Sequence, residues 1–195
     1  MNKFQDMTGA LICGGKSKRF GSDKRLFQHK GKTLLEISFQ NLNQICFETV
    51  CVFRDSPPSP LTPYPHIFDD LEVEGPLAGV LSALKYSKTP FVFVLPCDVP
   101  NLPVEYLKSL ALLKDPNKIV VPYTTRLEPL IGIYPKSFYD TLKIFSFEKR
   151  ASLKAFLYSL PVSKKLFVSL FDMGDKKVNM SYFENFNRPR AYVNE

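Results

Sequence analysis

The sequence has few of the side chains on which many enzyme classes depend. Its two histidines, His29 and His66, are isolated from each other, and no Ser-His or Cys-His arrangement is present. The four cysteines show no C-x-x-C spacing and lie in or beside apolar runs; they are Cys13, Cys46, Cys51 and Cys97. This pattern argues against a zinc site and predicts reduced thiols in the core.

Long apolar runs and long basic runs are also absent. No stretch reaches the roughly 18 apolar residues of a membrane span, and residues 1–7 are polar, so we expect a cytoplasmic protein without a membrane partner. The net charge of +7 fits nucleic acid or small anions. Because the cations are scattered and no aromatic RNA-binding pattern accompanies them, we expect small phosphate-bearing substrates and no nucleic acid.

The first chemical feature is the stretch GGKSKRFGSDK over residues 14–24, which follows an apolar run. Paired glycines and cations after a buried strand offer backbone N–H groups and positive charge to a polyphosphate. A Walker A loop would need glycine where Ala10 stands, and no G-x-G-x-x-G is present, so neither common nucleotide loop fits. Taken alone, the stretch is also compatible with a solvated loop between a strand and a helix.

Two further blocks carry acidic residues. The apolar run Phe91–Leu95 predicts a strand buried on both faces, and Asp98 follows it, where a carboxylate can anchor Mg²⁺. The alternative is that Asp98 caps the next helix. Between the two blocks, Asp69 precedes the sequence EGPLAG over residues 74–79, which predicts a helix start at which Ala78 and Gly79 let a ligand come close.

Together the three blocks resemble the molybdenum cofactor guanylyltransferases, the MobA family of nucleotidyltransferases. Residues 12–24, the segment from Asp69 to Gly79, and LPCDVP over residues 95–100 match the order and spacing of that family. FEKRASLKAFL over residues 147–157 and NFNRP over residues 185–189 resemble its later motifs. The resemblance therefore covers nearly the whole chain.

The resemblance implies transfer of GMP from GTP to molybdopterin, with Mg²⁺ as cofactor and molybdoenzymes or other cofactor-biosynthesis proteins as candidate partners. It implies nucleotide contacts by Ile12, Cys13, Gly14, Gly15, Asp69, Gly75 and Pro76. It implies that Arg19 and Lys24 neutralise the triphosphate and that Asp98 and Asn187 lie on the metal side. For Arg19 and Lys24, solvated loop cations are the alternative interpretation.

One departure from the family keeps other substrates open. Many relatives carry an Asn after the second strand, where this chain has Arg54 and Asp55. A cytidylyltransferase or a sugar-phosphate nucleotidyltransferase is the alternative enzyme, although the chain lacks a sugar-binding insert. A non-catalytic module that delivers cofactor is a third hypothesis, against which Arg19, Lys24 and Asp98 argue.

A second anion site is expected near residue 150. Arg150, Ser152 and Lys154 lie at the start of an amphipathic helix whose apolar face is Leu153, Phe156, Leu157 and Leu160. Polar residues at a helix N-terminus can hold an anion, so we expect the molybdopterin phosphate there.

The pattern of apolar runs predicts an α/β fold with one doubly wound, mostly parallel sheet, and the resemblance implies that this is the Rossmann-like fold of the nucleotidyltransferases. With 195 residues, we expect a single domain over residues 1–195, with a nucleotide-binding half over about 1–100 and an acceptor-binding half over about 101–195. Predicted strands cover residues 9–13, 49–53, 66–68, 91–95, 118–121, 129–134 and 166–170. One helix is predicted to begin at the capping box Thr33–Glu36. Further helices are predicted over residues 77–86, 104–113, 136–145, 152–158 and 189–193.

Overall fold

The computed structural model describes residues 3–14, 23–57, 59–61, 63–69, 72–169 and 180–183. These residues form nine strands and five α-helices. The strands are β1 (Phe4–Ile12), β2 (Gln28–His29), β3 (Lys32–Thr33), β4 (Cys46–Phe53), β5 (His66–Phe68), β6 (Phe91–Pro96), β7 (Ile119–Tyr123), β8 (Gly132–Pro135) and β9 (Lys165–Ser169). The helices are α1 (Leu34–Asn43), α2 (Pro76–Tyr86), α3 (Val104–Leu112), α4 (Tyr139–Ser146) and α5 (Leu153–Ser159).

Seven of the strands form one sheet in the order β5-β4-β1-β6-β8-β7-β9. Strands β5, β4, β1 and β6 are mutually parallel, β8 is antiparallel to both of its neighbours, and β9 is parallel to β7. The chain moves from β1 outward to β4 and β5 and then returns to β6 on the opposite side of β1. This reversal creates a topological switch point between β1 and β6, and it confirms the predicted doubly wound, mostly parallel sheet.

Strand alternation divides the core between the two faces of the sheet. Leu11 and Cys13 belong to one apolar cluster together with residues of α1 and α3. Ala10 and Ile12 belong to the other cluster, together with residues of α2, α4 and α5. Because successive strand side chains point to opposite faces, β1 is buried on both.

Several local predictions hold and others are wrong. Thr33 caps α1 as expected, with the Glu36 amide donating to Thr33 Oγ1 at 3.1 Å and the Thr33 amide donating to Glu36 Oε2 at 2.7 Å. The helix ends at Asn43, and Cys46 begins β4. The run 129–134 forms a strand only from Gly132. The predicted helix over 189–193 lies outside the described residues.

Two elements were not predicted. A short hairpin pairs β2 with β3 through Lys30 and Gly31, which have φ angles of 51° and 77° and so provide the left-handed turn that such hairpins need. The proline-rich segment 56–65 contains a 3₁₀ turn at Ser59–Leu61. Leu61 anchors that turn because its side chain is buried in the core. Within the described ranges, no helix is long and apolar enough to cross a bilayer.

Candidate active site

The carboxyl ends of β1, β4, β5 and β6 bring the predicted site residues to one edge of the sheet. The Cys13 amide donates to Val52 O at 2.9 Å, and the Cys97 amide donates to Ile12 O at 3.3 Å. On the other side, the Asp69 amide donates to Phe53 O at 2.7 Å. These bonds continue the sheet just past its strands, so the segments that carry Gly14, Asp69 and Asp98 leave it side by side.

Asp98 is a buried carboxylate next to the switch point. It is 5% exposed and lines a cavity of about 240 Å³, which Ile12 and Gly14 border from the side of β1. The alternative interpretation, that Asp98 caps the following helix, is wrong, because the N-cap of α3 is Pro103 and no side chain caps that end. The carboxylate therefore borders the cavity and does not cap the helix.

Asp69 lies beneath the start of the glycine-rich stretch. Its side chain is 5% exposed, and its Oδ1 is 3.5 Å from Nη1 of Arg54. Its Oδ2 is close to Gly14, since a Cβ added to Gly14 would lie 3.5 Å from that oxygen. A second cavity of about 420 Å³ opens above Asp69 and is lined by Ile12, Gly14, Arg54, Asp55, Asp69, Glu74, Gly75 and Pro76.

Gly75 and Pro76 shape the turn that enters α2. Gly75 has φ 71° and ψ −165°, a conformation that essentially only glycine adopts without strain, and Pro76 occupies the first position of the helix. Both residues line the 420 Å³ cavity. The turn into α2 therefore forms part of the cavity wall.

The expectation for Ala78 and Gly79 is wrong. Ala78 is fully buried, and a Cβ on Gly79 would lie 3.2 Å from Cγ2 of Ile12. The small residues therefore let α2 pack closely on β1, and they do not give room to a ligand. The physical reason is that α2 is buried over almost its whole surface, from Leu77 to Leu84.

Asp23, near the end of the glycine-rich stretch, is bound by Arg25, which was not among the predicted site residues. Its carboxylate accepts from the Arg25 amide at 3.0 Å and from Arg25 Nε at 2.8 Å. The Arg25 guanidinium also lies 5.3 Å from the centre of the Phe53 ring, and the hydrogen bond that it donates to Asp23 raises the pKa of Arg25. The 3₁₀ turn Lys24–Leu26 is thereby fixed against the end of β4.

Three of the cysteines converge under the same edge. Cys13, Cys51 and Cys97 are buried on one face of the sheet, and Cys13 Sγ donates to Leu11 O at 3.3 Å. Burial, followed by hydrogen bonding with the other two thiols, raises the pKa of Cys13 well above its usual range. The prediction of free core thiols is confirmed. No cluster of three or more metal-ligating side chains occurs among the described residues.

Not every predicted residue can be placed. Gly15, Arg19 and Asn187 lie outside the described residues, and so does the side chain of Lys24. Near the predicted acceptor helix, Ser152 caps α5 by accepting from the Ala155 amide at 3.1 Å. Ser152 and Lys154 line a third cavity of about 430 Å³, whereas Arg150 is exposed and is not part of its wall.

The three cavities share walls. Pro76 lines all of them, Ile12 and Gly14 are common to the first two, and Pro129 and Leu130 are common to the 240 and 430 Å³ cavities. A larger cavity of about 670 Å³ lies between β5, α2 and α4, and Asp69 lines both it and the 420 Å³ cavity. The shared walls make one cleft along the edge of the sheet, reaching from Asp69 past Asp98 to α5.

Comparison with known proteins agrees with this geometry. Residues 9–165 match the family described as the MobA-like NTP transferase domain. The chain is 30% identical over 189 residues to the probable molybdenum cofactor guanylyltransferase of Carboxydothermus hydrogenoformans, covering 96% of this chain and 94% of the relative. It is 31% identical over 190 residues to the molybdenum cofactor guanylyltransferase of Campylobacter jejuni subsp. doylei, covering 95% and 96%.

A solved structure shares the fold. The molybdopterin-guanine dinucleotide biosynthesis protein A from Archaeoglobus fulgidus superposes with a TM-score of 0.74 over 94% of this chain and 93% of the other, at 22% identity. At that identity the likeness speaks for the fold alone.

Proposed function

Because the chain belongs to the MobA-like NTP transferase family, we propose that it transfers GMP from GTP to molybdopterin and releases pyrophosphate. The product is the guanine dinucleotide form of the cofactor. The names of relatives that align over nearly the whole chain support this reaction. The structural observation that best supports the proposal is the cleft at the switch point, where Gly14, Asp69 and Asp98 border connected cavities.

The reaction sets requirements that the site meets without a proton-abstracting base. A phosphate oxygen of molybdopterin attacks the α-phosphorus of GTP, a new P–O bond forms, and the bond to the β-phosphate oxygen breaks as pyrophosphate leaves. A phosphate monoester is largely dianionic at neutral pH, so the nucleophile is already deprotonated. The obstacle is repulsion between two polyanions, which calls for positioning and for cations near the developing charge. Arg19 and Lys24 are proposed for that role.

Mg²⁺ is the proposed metal, and the residues present fit it. A hard dication takes one or two carboxylates from the protein and its remaining ligands from phosphates and water. Asp98 supplies one buried carboxylate facing the cavity, and Asn187 is the proposed second protein ligand. When bound, the ion neutralises phosphate charge and polarises the α-phosphate. Asp98 itself holds a fixed negative charge beside Ile12 and Gly14, where the nucleotide phosphates are proposed to lie.

The wall of the 420 Å³ cavity supports guanine as the base. It presents the carboxylates of Asp55 and Glu74, which accept hydrogen bonds, whereas the Asp69 carboxylate on the same wall is paired with Arg54. Guanine offers donors at N1 and N2 on one edge, whereas cytosine offers a single donor group beside two acceptors. A wall rich in acceptors therefore favours GTP over CTP.

The acceptor is proposed to lie in the 430 Å³ cavity near α5. Ser152 and Lys154 border it, and the cavity shares Pro76 with the nucleotide side. This arrangement supports the division into a nucleotide-binding half over about 1–100 and an acceptor-binding half over about 101–195. Because Arg150 is exposed outside the cavity wall, it would act by attracting the phosphate at longer range.

The test is a nucleotide panel followed by a transfer assay. With Mg²⁺ present, GTP should raise the melting temperature more than CTP, ATP or UTP, since a ligand specific for the folded protein stabilises it by mass action. With molybdopterin added, pyrophosphate and the guanine dinucleotide should form in equal amounts. Preference for CTP would instead support the cytidylyltransferase alternative, and nucleotide binding without pyrophosphate release would support a delivery module.

A further inference from the structure

One cationic side chain joins the ends of three segments around the 420 Å³ cavity. Arg54 follows β4, and its Nη1 donates to the carbonyl oxygen of Val73, in the turn before α2, at 2.6 Å. The same nitrogen is 3.5 Å from Oδ1 of Asp69, which follows β5. The Arg54 side chain is 30% exposed, and it lines that cavity.

The contact with Asp69 matters because of where that carboxylate lies. Asp69 is 95% buried, and its Oδ2 approaches the backbone of Gly14 at the start of the glycine-rich stretch. A buried carboxylate without a nearby cation repels any anion brought close to it, and burial weakens the screening by water. A nucleotide triphosphate over Gly14 would meet that repulsion directly.

The contact with Val73 matters for the shape of the cavity. The Val73 side chain is 7% exposed and packs in the core, while its carbonyl is held by Arg54. The next residues along the chain, Glu74 and Gly75, form the cavity wall. Arg54 and the core therefore fix this wall from two sides.

We propose that Arg54 is a positioning residue for the nucleotide, which offsets the charge of Asp69 and fixes the turn from Val73 to Gly75. The inference rests on the proposed function, because it assumes that a nucleotide triphosphate binds above Gly14. Its two parts are separable. Charge compensation matters more as the ligand carries more phosphates, whereas turn positioning affects every ligand that contacts the wall.

Three substitutions separate these parts. Arg54→Met removes both contacts, and Arg54→Gln keeps an amide donor for Val73 but no charge. Arg54→Lys keeps one charged nitrogen, which is what Nη1 provides to both partners. Lys114→Met is the matched control. Lys114 also pairs with a carboxylate, Asp6 at 2.6 Å, but Asp6 lies near the amino end of β1, away from the cavities at the carboxyl ends of the strands. Affinities for GTP, GMP and guanosine are measured by calorimetry in the presence of Mg²⁺.

We expect Arg54→Met to weaken GTP binding by about tenfold or more, because it removes a cation beside the buried carboxylate of Asp69, and to weaken guanosine binding by much less. Arg54→Gln should show the same dependence on ligand charge, and Arg54→Lys should stay near the wild-type affinity. Lys114→Met should match the wild type for all three ligands.

Other outcomes would overturn the inference. An equal loss of affinity for GTP, GMP and guanosine in the Met and Gln variants would refute charge compensation, and unchanged GTP affinity would refute any positioning role. If Arg54→Met does not fold, the comparison of the Gln and Lys variants decides the question in the same way. A wild-type protein that binds no GTP overturns the proposed function itself, which is a different result from a wild type that binds GTP and variants that bind it equally well.

Discussion

Replacement of Asp98 is the sharpest test of the proposed chemistry. Asp98→Asn keeps the size of the side chain and one carbonyl-type oxygen but removes the negative charge at the cavity. If that charge anchors Mg²⁺ beside the α-phosphate, both Asp98→Asn and Asp98→Ala should lose at least about a hundredfold in transfer rate, as loss of a preorganised electrostatic group does. A hundredfold loss corresponds to about 2.7 kcal/mol in activation free energy.

The structure predicts a much smaller effect of these substitutions on folding. Asp98 does not cap α3, whose N-cap is Pro103, and its carboxylate borders a cavity instead of apolar core. We therefore expect the free energy of unfolding to change by about 1 kcal/mol or less, which shifts the melting temperature of a protein of this size by no more than about 4 °C. Asp140→Asn, an exposed carboxylate in the first turn of α4, is the matched control.

Two assays are needed to separate metal binding from folding. Pyrophosphate release measures transfer, and the GTP-induced rise in melting temperature, with and without Mg²⁺, measures the metal-dependent part of nucleotide binding. Asp98→Asn should remove most of the difference that Mg²⁺ makes, while Asp140→Asn should leave it intact. Retention of more than about a tenth of the transfer activity in Asp98→Asn would refute the role of this carboxylate.

The remaining predictions concern the loop cations, the acceptor and the thiols. Arg19→Ala and Lys24→Ala should weaken GTP binding with little change in stability; variants of normal activity within about 0.5 kcal/mol of the wild type would identify the two as solvated cations. Arg150→Ala should raise the molybdopterin concentration needed for half-maximal rate and leave GTP affinity unchanged, and the reverse result would assign that region to the nucleotide. Burial raises the pKa of the Cys46 thiol. The thiol therefore stays protonated in the folded protein, whereas in the unfolded chain it loses its proton from about pH 8.5 upward. Stability should therefore fall above that pH, and Cys46→Ala should reduce the slope of unfolding free energy against pH by up to about 1.4 kcal/mol per unit in urea titrations.

The parts of the site that are contiguous in sequence could be predicted. Asp98 was found because an apolar strand ends just before it, and parallel strands in such sheets collect ligands at their carboxyl ends. Gly75 and Pro76 were found because Gly-Pro marks a helix entry. In each case the candidate site residue is next to the local sequence pattern that predicts its position.

The contacts that join separate segments could not be predicted. Arg54 contacts Val73 and Asp69 because β4 and β5 are neighbours in the sheet, and the sequences of these two strands do not show that they pair. The same holds for Cys13, Cys51 and Cys97. Their convergence depends on the register that sets Leu11 opposite Cys51 on one side and opposite Leu95 on the other.

The error over Ala78 and Gly79 has a different origin. Small residues near a ligand and small residues at a close helix–strand contact look the same in one sequence, because both reflect a lack of space. What distinguishes them is the burial of the rest of the helix. Since Leu77–Leu84 is buried throughout, the missing Cβ of Gly79 serves the contact with Ile12.

The ion pairs of Asp69 and Asp23 also explain how a nucleotide triphosphate can lie near these two acidic residues. Near Gly14 and Cys13, Asp69 lies beside Arg54, Asp23 is bound to Arg25, and the raised pKa of Cys13 keeps that thiol protonated. Paired charges and a neutral thiol add little net repulsion near Gly14, because the field of an opposite pair falls off faster than that of a single charge. On the proposed function, the attraction that binds GTP then comes from Arg19, Lys24 and the metal at Asp98. Removing one member of a pair, such as Arg54, leaves a net charge and should therefore weaken the binding of nucleotides in proportion to their own charge.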